Sequence, residues 1–506
     1  MNRDGSLQSI WQETTAPYVT ANEWKSDTQY DVLIVGGGIT GLTAALLLQS
    51  NGKKCVLAEG EILGFGTTGG TTAHLNTMLD TPYAKVKKDF SADDANLLAN
   101  GTKEAINQIE NLVNKYAIDC DFSYRSAIVY AETEEQVKAL DEIHAGDDEA
   151  GVHSEQVYEL EIPASFVKAY KFDGQAKLHP LKYLNGLAKA FEEAGGVILQ
   201  HCLVTKVNSD NGIAAETSLG NIKADKLMYA THIPPGINLF NLRCAPYRSY
   251  VMAFTLKSGN YPTMFHYDMQ EPYHYFRTHE IDGQKVVIGG GFDHKTGHND
   301  NTTYVFTELE AYLRKLFDID SITFKWSSQY YEPVDGLPYI GLMPGHDNIY
   351  LGTGYGGNGM VLGTLAAKMI CDLLVSKNSA YEKLLSPSRL KPIAGISNFV
   401  KENIDVVSMF LGKRLDYEHI TQLADLATGE AKVIKWEDHP LAVYKDEKGK
   451  IHALDPVCPH AGCIVGWNSA EKSWDCPCHG GRYDCNGKLL NGPATGGLTV
   501  IDWMHL

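Results

Sequence analysis

The rhythm of hydrophobic and polar positions changes several times along the chain. Residues 31–59 open on a short apolar run, DVLIV, followed by a glycine-rich turn. A helical pattern then stops at Asn51-Gly52, and a second apolar run, KKCVLAE, follows. That order predicts strand, turn, helix, strand. Residues 91–118 and 132–144 carry helical patterns, with the strand-like stretch 120–131 between them. Residues 178–210 predict another helix and then alternating strands. From 244 to 293 the alternation is sustained and broken by Asn, Pro and Gly, as in an antiparallel sheet. Residues 302–318 read as helix, and residues 333–376 as a proline, a dense glycine loop and a long helix. Two prolines in 385–394 predict a linker. Residues 395–413 form an amphipathic pattern, either a connector packed on the body or a membrane-surface helix; the absence of a strongly basic face favours the connector. From about 415 to 501 short strands and turns predict a separate all-β unit.

The length, 506 residues, suggests about three domains. A 21% charged and 44% hydrophobic composition is that of globular protein and argues against wholesale disorder. The formal charge of −18 argues against a general nucleic-acid binder. No apolar stretch is expected to approach the ~20 residues of a membrane span. The first thirty residues hold neither a continuous apolar core nor twin arginines, so the expected location is the cytoplasm. Five of the 10 cysteines are spread over the first 371 residues, whereas Cys458, Cys463, Cys476, Cys478 and Cys485 crowd into 28 positions. In a cytosolic chain that density points to a metal or redox site.

Gly36-x-Gly38-x-x-Gly41 follows the first strand and opens the first helix. The first glycine allows the tight turn, the second close approach to a pyrophosphate, and the third close packing of helix on strand. Glu59 ends the second strand, where a carboxylate holds adenosine ribose hydroxyls. The alternative is a glycine-rich turn with no ligand. Two further Gly- and Thr-rich segments, 64–76 (with Thr67, Thr68, Thr71 and Thr72) and 335–363, favour FAD over NAD because they suit close backbone approach to a second part of the ligand.

Together these segments resemble the D-amino-acid oxidase, glycine oxidase and sarcosine oxidase superfamily of FAD enzymes over roughly residues 28–380. The resemblance implies an α/β Rossmann-like FAD domain of the glutathione-reductase type (28–84, 152–240 and 328–384) and an inserted α+β antiparallel-sheet substrate domain (85–151 and 241–327). It implies that the stretch from Asp335 borders the flavin. It also implies that Gly354, Tyr355, Gly356, Gly357, Asn358, Gly359 and Met360 point backbone amides at its ring, and that Val204 touches adenine unless it is merely core. By the same likeness His74 lies at the flavin. A similar Gly-Ser-Thr-x-His stretch in the dimethylglycine and sarcosine dehydrogenases binds flavin covalently, although Ala73 here replaces the usual aromatic neighbour.

Cys458-Pro459-His460 and Cys476-Pro477-Cys478-His479 can offer two thiolates to one iron and two imidazoles to another; structural zinc is the rival. The set resembles the Rieske [2Fe–2S] motif, with Cys458, His460, Cys476 and His479 as the implied ligands in a domain spanning 415–506, after a linker and connecting helix at 385–414. Cys463 and Cys478 resemble the disulfide that pins the cluster loops in cytochrome bc-type Rieske proteins. Gly481 stands where that type has a serine whose hydroxyl bonds a cluster sulfide, whereas the other donor, Tyr483, is present.

A flavin and a Rieske cluster in one chain imply a dehydrogenase: a small-molecule substrate, amine or amino-acid-like, reduces FAD, and electrons leave singly through the cluster to an external acceptor. The alternative is an electron-transfer reductase serving a partner enzyme, but no second GxGxxG offers it a nicotinamide site. An oxygenase would need a mononuclear iron site with two His and a carboxylate, and Asp141-x-x-His144 has no second His four residues on. Arg277 is a candidate for meeting an anionic substrate group, or a salt-bridged structural arginine. Tyr330 aligns where many relatives carry a carboxylate-clamping arginine, which a hydroxyl cannot replace. Tyr247, Tyr250, Tyr273, Tyr275, Tyr330 and Tyr331 line an aromatic pocket or belong to sheet core.

Overall fold

Strand Gln29–Val35 is almost continuously apolar because it lies at the centre of a parallel sheet covered on both faces. In the computed structural model, which describes residues 3–26, 28–376, 378–389, 392–412, 418–419, 426–436 and 438–502, it pairs with Gly220–Tyr229 on one side and Cys55–Ala58 on the other. Val197–Leu199 and Ile349–Thr353 extend the parallel set outward. The first helix, Ile39–Ser50, has no polar face: Leu42, Ala44, Ala45, Leu46 and Leu48 are all fully buried. It is sandwiched between helices Pro180–Glu193 and Gly359–Val375. By length and composition Gly356–Val375 is apolar enough to cross a membrane, contrary to the sequence expectation. Its apolarity matches its packing against Ile39–Ser50 and Ala92–Lys115 within the domain.

A nine-stranded sheet lies beside this domain. It is antiparallel except where Phe265–Asp268 runs parallel to Ser123–Ala131. Two sequence boundaries move. Ser154–Val157 and Lys168–Lys177 pair into this second sheet rather than into the nucleotide-binding domain, as does His74–Leu75. Ile319–Pro333 carries it past residue 327. The reason is the long partner strand Ser123–Ala131, whose register fixes Lys168–Lys177 opposite it.

The C-terminal unit consists of two small four-stranded sheets. The boundary expected at 414/415 falls outside the described residues. The connecting helix Pro392–Gly412 packs on the body, where Lys295 pairs with Glu402 and Asp405 and Asn403 Nδ2 donates to Leu242 O at 3.1 Å.

Residues 3–11, featureless in the sequence, are wedged between the units. Ser9 Oγ donates to Gly69 O (2.6 Å) and Trp11 Nε1 to Thr71 O (2.6 Å). Around Arg3 and Asp4 lies a buried ionic network. Glu471 of the C-terminal unit accepts from Arg3 Nη1 (3.2 Å) and from the amide (2.9 Å) and hydroxyl (2.7 Å) of Ser327, whose hydroxyl also accepts from Arg248 (2.6 Å). Arg482 spans Asp4 (2.9 Å) and Asp475 (3.0 Å). Burial raises the Glu471 pKa, but Arg3, Arg248 and Arg482 outweigh it and hold the carboxyl at about 2.

Because removing one member leaves buried charge uncompensated, Glu471→Gln should lower unfolding free energy by about 3–5 kcal/mol at neutral pH, read by denaturant melts. The Glu471 pKa is depressed on folding. Its contribution is therefore complete above the unfolded carboxyl range near ~4.3 and lost as pH falls toward about 2. The variant and the natural chain should converge in that acid window.

Candidate active site and cluster site

A cavity of about 850 Å³ opens at the carboxyl ends of the parallel strands. The turn after the first strand is shaped by glycine. Gly36 has φ +113°, and a Cβ there would sit 2.5 Å from Ala230 O. A Cβ on Gly41 would fall 1.9 Å from Gly36 O, so this glycine packs helix against turn rather than lining the cavity. Gly38 lines it as the N-cap of Ile39–Ser50 and adds no side-chain cap. The helix amides there suit a phosphate. Glu59 lines the same end; its two oxygens accept from Gly37 N (2.6 Å) and Glu61 N (2.9 Å), and burial raises its pKa. A glycine-shaped cradle at a helix N-terminus with a carboxylate beside it fits the diphosphate and ribose of FAD.

Thr67, Thr68, Thr71, Thr72, Val204, Tyr355, Gly356, Gly357, Asn358, Gly359 and Met360 also line the cavity. Thr68 Oγ1 accepts from Ile39 N (3.1 Å), tying the second segment to the first helix. Asp335 and Gly354 do not line it. Asp335 is clamped by Arg389 through both carboxylate oxygens (2.7 and 2.8 Å), a partner from the linker. Gly354 is a turn residue (φ +73°) against Cys244 and Pro333.

His74 faces the cavity among the rings of Phe265, Tyr267 and Tyr275. Nδ1 meets Thr72 Oγ1 at 3.0 Å, and Nε2 is buried with no partner. Burial, reinforced by Arg277 and Lys177, drives its pKa well below the usual imidazole value, so the ring is neutral. Arg277 lies outside the lining. Fully buried, it donates to Ala73 O (2.7 Å) and stacks over Trp11, supporting the His74 loop from behind instead of meeting a substrate. Tyr330 lines the cavity and donates to Asp293 Oδ2 (2.8 Å). Of the other tyrosines, Tyr273 and Tyr275 line it; Tyr250 and Tyr331 are core, and Tyr247 reaches toward Glu402. Asp80, Asp293 and Gln329 carry no local motif and were not expected from the sequence, and Asn76 was covered only as the end of segment 64–76. Nor was the strip 488–497 of the C-terminal unit expected, which supplies part of the wall.

In the C-terminal unit the two motif loops close on each other. Cys458 and Cys476 are buried, and Cys463 is joined to Cys478. The Cys476 thiol, the Tyr483 hydroxyl (3.1 Å from Cys458 Sγ) and the backbone amides of His460 and Ala461 lower the Cys458 pKa against the effect of burial, while Cys476 is pushed up. The rings of His460 and His479 lie 4.9 Å apart, and both Nδ1 atoms are buried without a partner. His460 Nε2 meets Gly236 O at 3.2 Å, so Nε2 carries the hydrogen and Nδ1 keeps its lone pair. Burial lowers both imidazole pKa values, that of His479 to about 4, so both rings are neutral. Two thiols and two orphaned Nδ1 atoms fit a two-iron cluster with mixed ligands.

Gly481 places its α-carbon where an added Cβ would lie 3.6 Å from Cys458 Sγ and 3.2 Å from Tyr483 Oη. Gly481→Ser adds a hydrogen-bond donor at that thiolate. The cluster's reduction potential should rise, as followed by an electron paramagnetic resonance redox titration; an unchanged or lower value in intact protein would contradict the argument.

Two family models match the chain: the DAO family, FAD dependent oxidoreductase, over residues 31–373 and the Rieske [2Fe-2S] domain over residues 417–502. YhfW of Bacillus subtilis (strain 168), named as a Rieske 2Fe-2S iron-sulfur protein, is 31% identical over 482 residues, covering 94% of each chain. The gamma-glutamylputrescine oxidoreductase of Escherichia coli (strain K12) is 24% identical over 378 residues, 71% of this chain and 86% of its own. Among solved structures, glycine oxidase from Geobacillus kaustophilus shares the fold with a TM-score of 0.60 and 19% identity, over 72% of this chain and 99% of that one. The chain thus belongs to the DAO family of FAD-dependent oxidoreductases and carries a C-terminal Rieske [2Fe-2S] domain.

Proposed function

We propose that this protein is a dehydrogenase for a small amine or amino-acid-like substrate and delivers the electrons, one at a time, to an external acceptor protein through its Rieske domain. Oxidation at the carbon beside nitrogen turns a C–N single bond into C=N and releases two protons and two electrons; the acceptor takes one electron in each of two transfers. When bound, FAD accepts the hydride equivalent and the cluster carries single electrons.

The observation that carries this reading is the thinness of the wall between the two sites. Gln329 lines the cavity, and its Nε2 donates to Gly480 O (2.9 Å), the carbonyl next to His479. Gln329 O in turn accepts from Thr67 Oγ1 (2.8 Å), a lining residue. On a second path His460 meets Gly236, beside the lining residue Pro235. Tyr331 Oη donates to His479 O (3.2 Å) and excludes water from this contact. The amine class is supported by the relative named for gamma-glutamylputrescine.

Anaerobic mixing of holoprotein with an oxidisable amine should bleach the flavin and then produce the reduced-cluster resonance signal without added mediator. Gln329→Leu should retain FAD and iron but slow the second phase. Bleaching by NADH and not by amines or amino acids would instead favour a reductase.

A further inference from the structure

Beyond His74 the cavity continues between strands of the nine-stranded sheet, and its chemistry there is one-sided. Asp293 Oδ2 accepts from Tyr330 (2.8 Å), while Oδ1 is buried and has no partner. Asp80 accepts from Tyr273 Oη (3.2 Å) and Gly357 N (2.8 Å). Among the described residues neither aspartate makes an ion pair. Among the described residues no arginine lines the cavity, and the one lysine that does, Lys488, is paired with Glu61 at the Glu59 end.

The neighbouring polar atoms have the same bias. Asn76 is 7% exposed and lines the cavity. Its amide nitrogen donates to Tyr267 Oη (2.7 Å), which leaves Oδ1 unpaired. Tyr267, Tyr273 and Tyr275 form the rest of this wall, with successive ring centroids 6.4 and 6.0 Å apart. Unpaired acceptors, uncompensated carboxylates and aromatic faces all favour a cationic donor. Burial raises the pKa values of both carboxyls, that of Asp293 to about 6, and a cation placed between them would favour their ionised forms.

We propose that this end of the cavity binds the substrate as an ammonium cation that carries no carboxylate, with Asp293 and Asp80 receiving its charge and the tyrosine rings its carbon skeleton. The proposal rests on the dehydrogenase reading for its substrate's place beside the flavin, and it narrows that reading to amines without an acid group. A carboxylate brought here would meet two aspartates and no cation. Asp293 is the residue assigned to specificity, held in place by Tyr330 and with one oxygen free.

The test uses three inert isosteres that lack a hydrogen on the carbon bearing the polar group: tert-butylammonium, tert-butanol and pivalate. Each is titrated into oxidised holoprotein by calorimetry, with the flavin absorption band as the second readout. The ammonium should bind about tenfold tighter than the alcohol, perturb the flavin band, and bind more tightly still relative to pivalate. Asp293→Asn with full FAD and iron content should bring the ammonium to the level of the alcohol. Pivalate binding as tightly as the ammonium would overturn the proposal in the unmodified protein, whatever the variant does. So would an Asp293→Asn protein with unchanged ammonium affinity. Because none of the probes can be oxidised, the result does not depend on electron delivery to the cluster: failure of the electron route leaves it standing, and a preference for pivalate leaves the route untouched.

Discussion

Arg3, Arg248 and Arg482, with Asp4, Glu471 and Asp475, are all buried where the N-terminal segment, the oxidoreductase domain and the Rieske domain meet. Each charge taken from water there costs several kcal/mol, and pairing with opposite charges within the set offsets that cost. Such a junction is stable in one arrangement. A sliding apolar interface would tolerate small shifts, but a network in which Glu471 must accept from Arg3 and Ser327 together does not. The Rieske domain is thus tied to the flavin domain and the N-terminal segment by buried ion pairs.

That placement gives the cavity and the paired Cys/His loops a common wall. Strand Ile319–Pro333 contributes Ser327 to the ionic junction, Gln329 to both the cavity and the Gly480 carbonyl, Tyr330 to Asp293 and Tyr331 to His479. Alternation along one strand thus sends adjacent residues to opposite tasks. Trp11 and Arg277 buttress the loop that carries His74 from the far side.

The local signals were legible in the sequence. The turn at Gly36, the helix start at Gly38 and the strand end before Glu59 could be read because each is determined within a few residues. The Cys458/His460 and Cys476/His479 loops stood out as a pair because ligand type and spacing restrict the chemistry, and the structure brings them together. What failed depends on partners far away in the chain. Asp335 is held by Arg389, and Arg277 by the carbonyl of Ala73, and no periodicity encodes either pairing. The family resemblance put residues 152–240 in the nucleotide-binding domain, but Ser154–Val157 and Lys168–Lys177 pair into the other sheet, a choice set by the distant strand Ser123–Ala131. Residues 3–11 showed no pattern because their burial comes from ion pairs and single anchors rather than from an apolar face.

Gly480 has φ +74°, and a Cβ there would lie 2.7 Å from Pro246 Cβ, 2.9 Å from Gln329 Nε2 and 3.0 Å from Tyr331 Oη. The residue belongs to the cluster loop by sequence, yet its surroundings belong to the other domain. A Rieske module grafted from elsewhere would have to bring a glycine at this point and meet a proline, a glutamine and a tyrosine shaped to receive it. The room for a side chain at residue 480 is therefore set by the other half of the chain: any residue larger than glycine would need Pro246, Gln329 or Tyr331 to move.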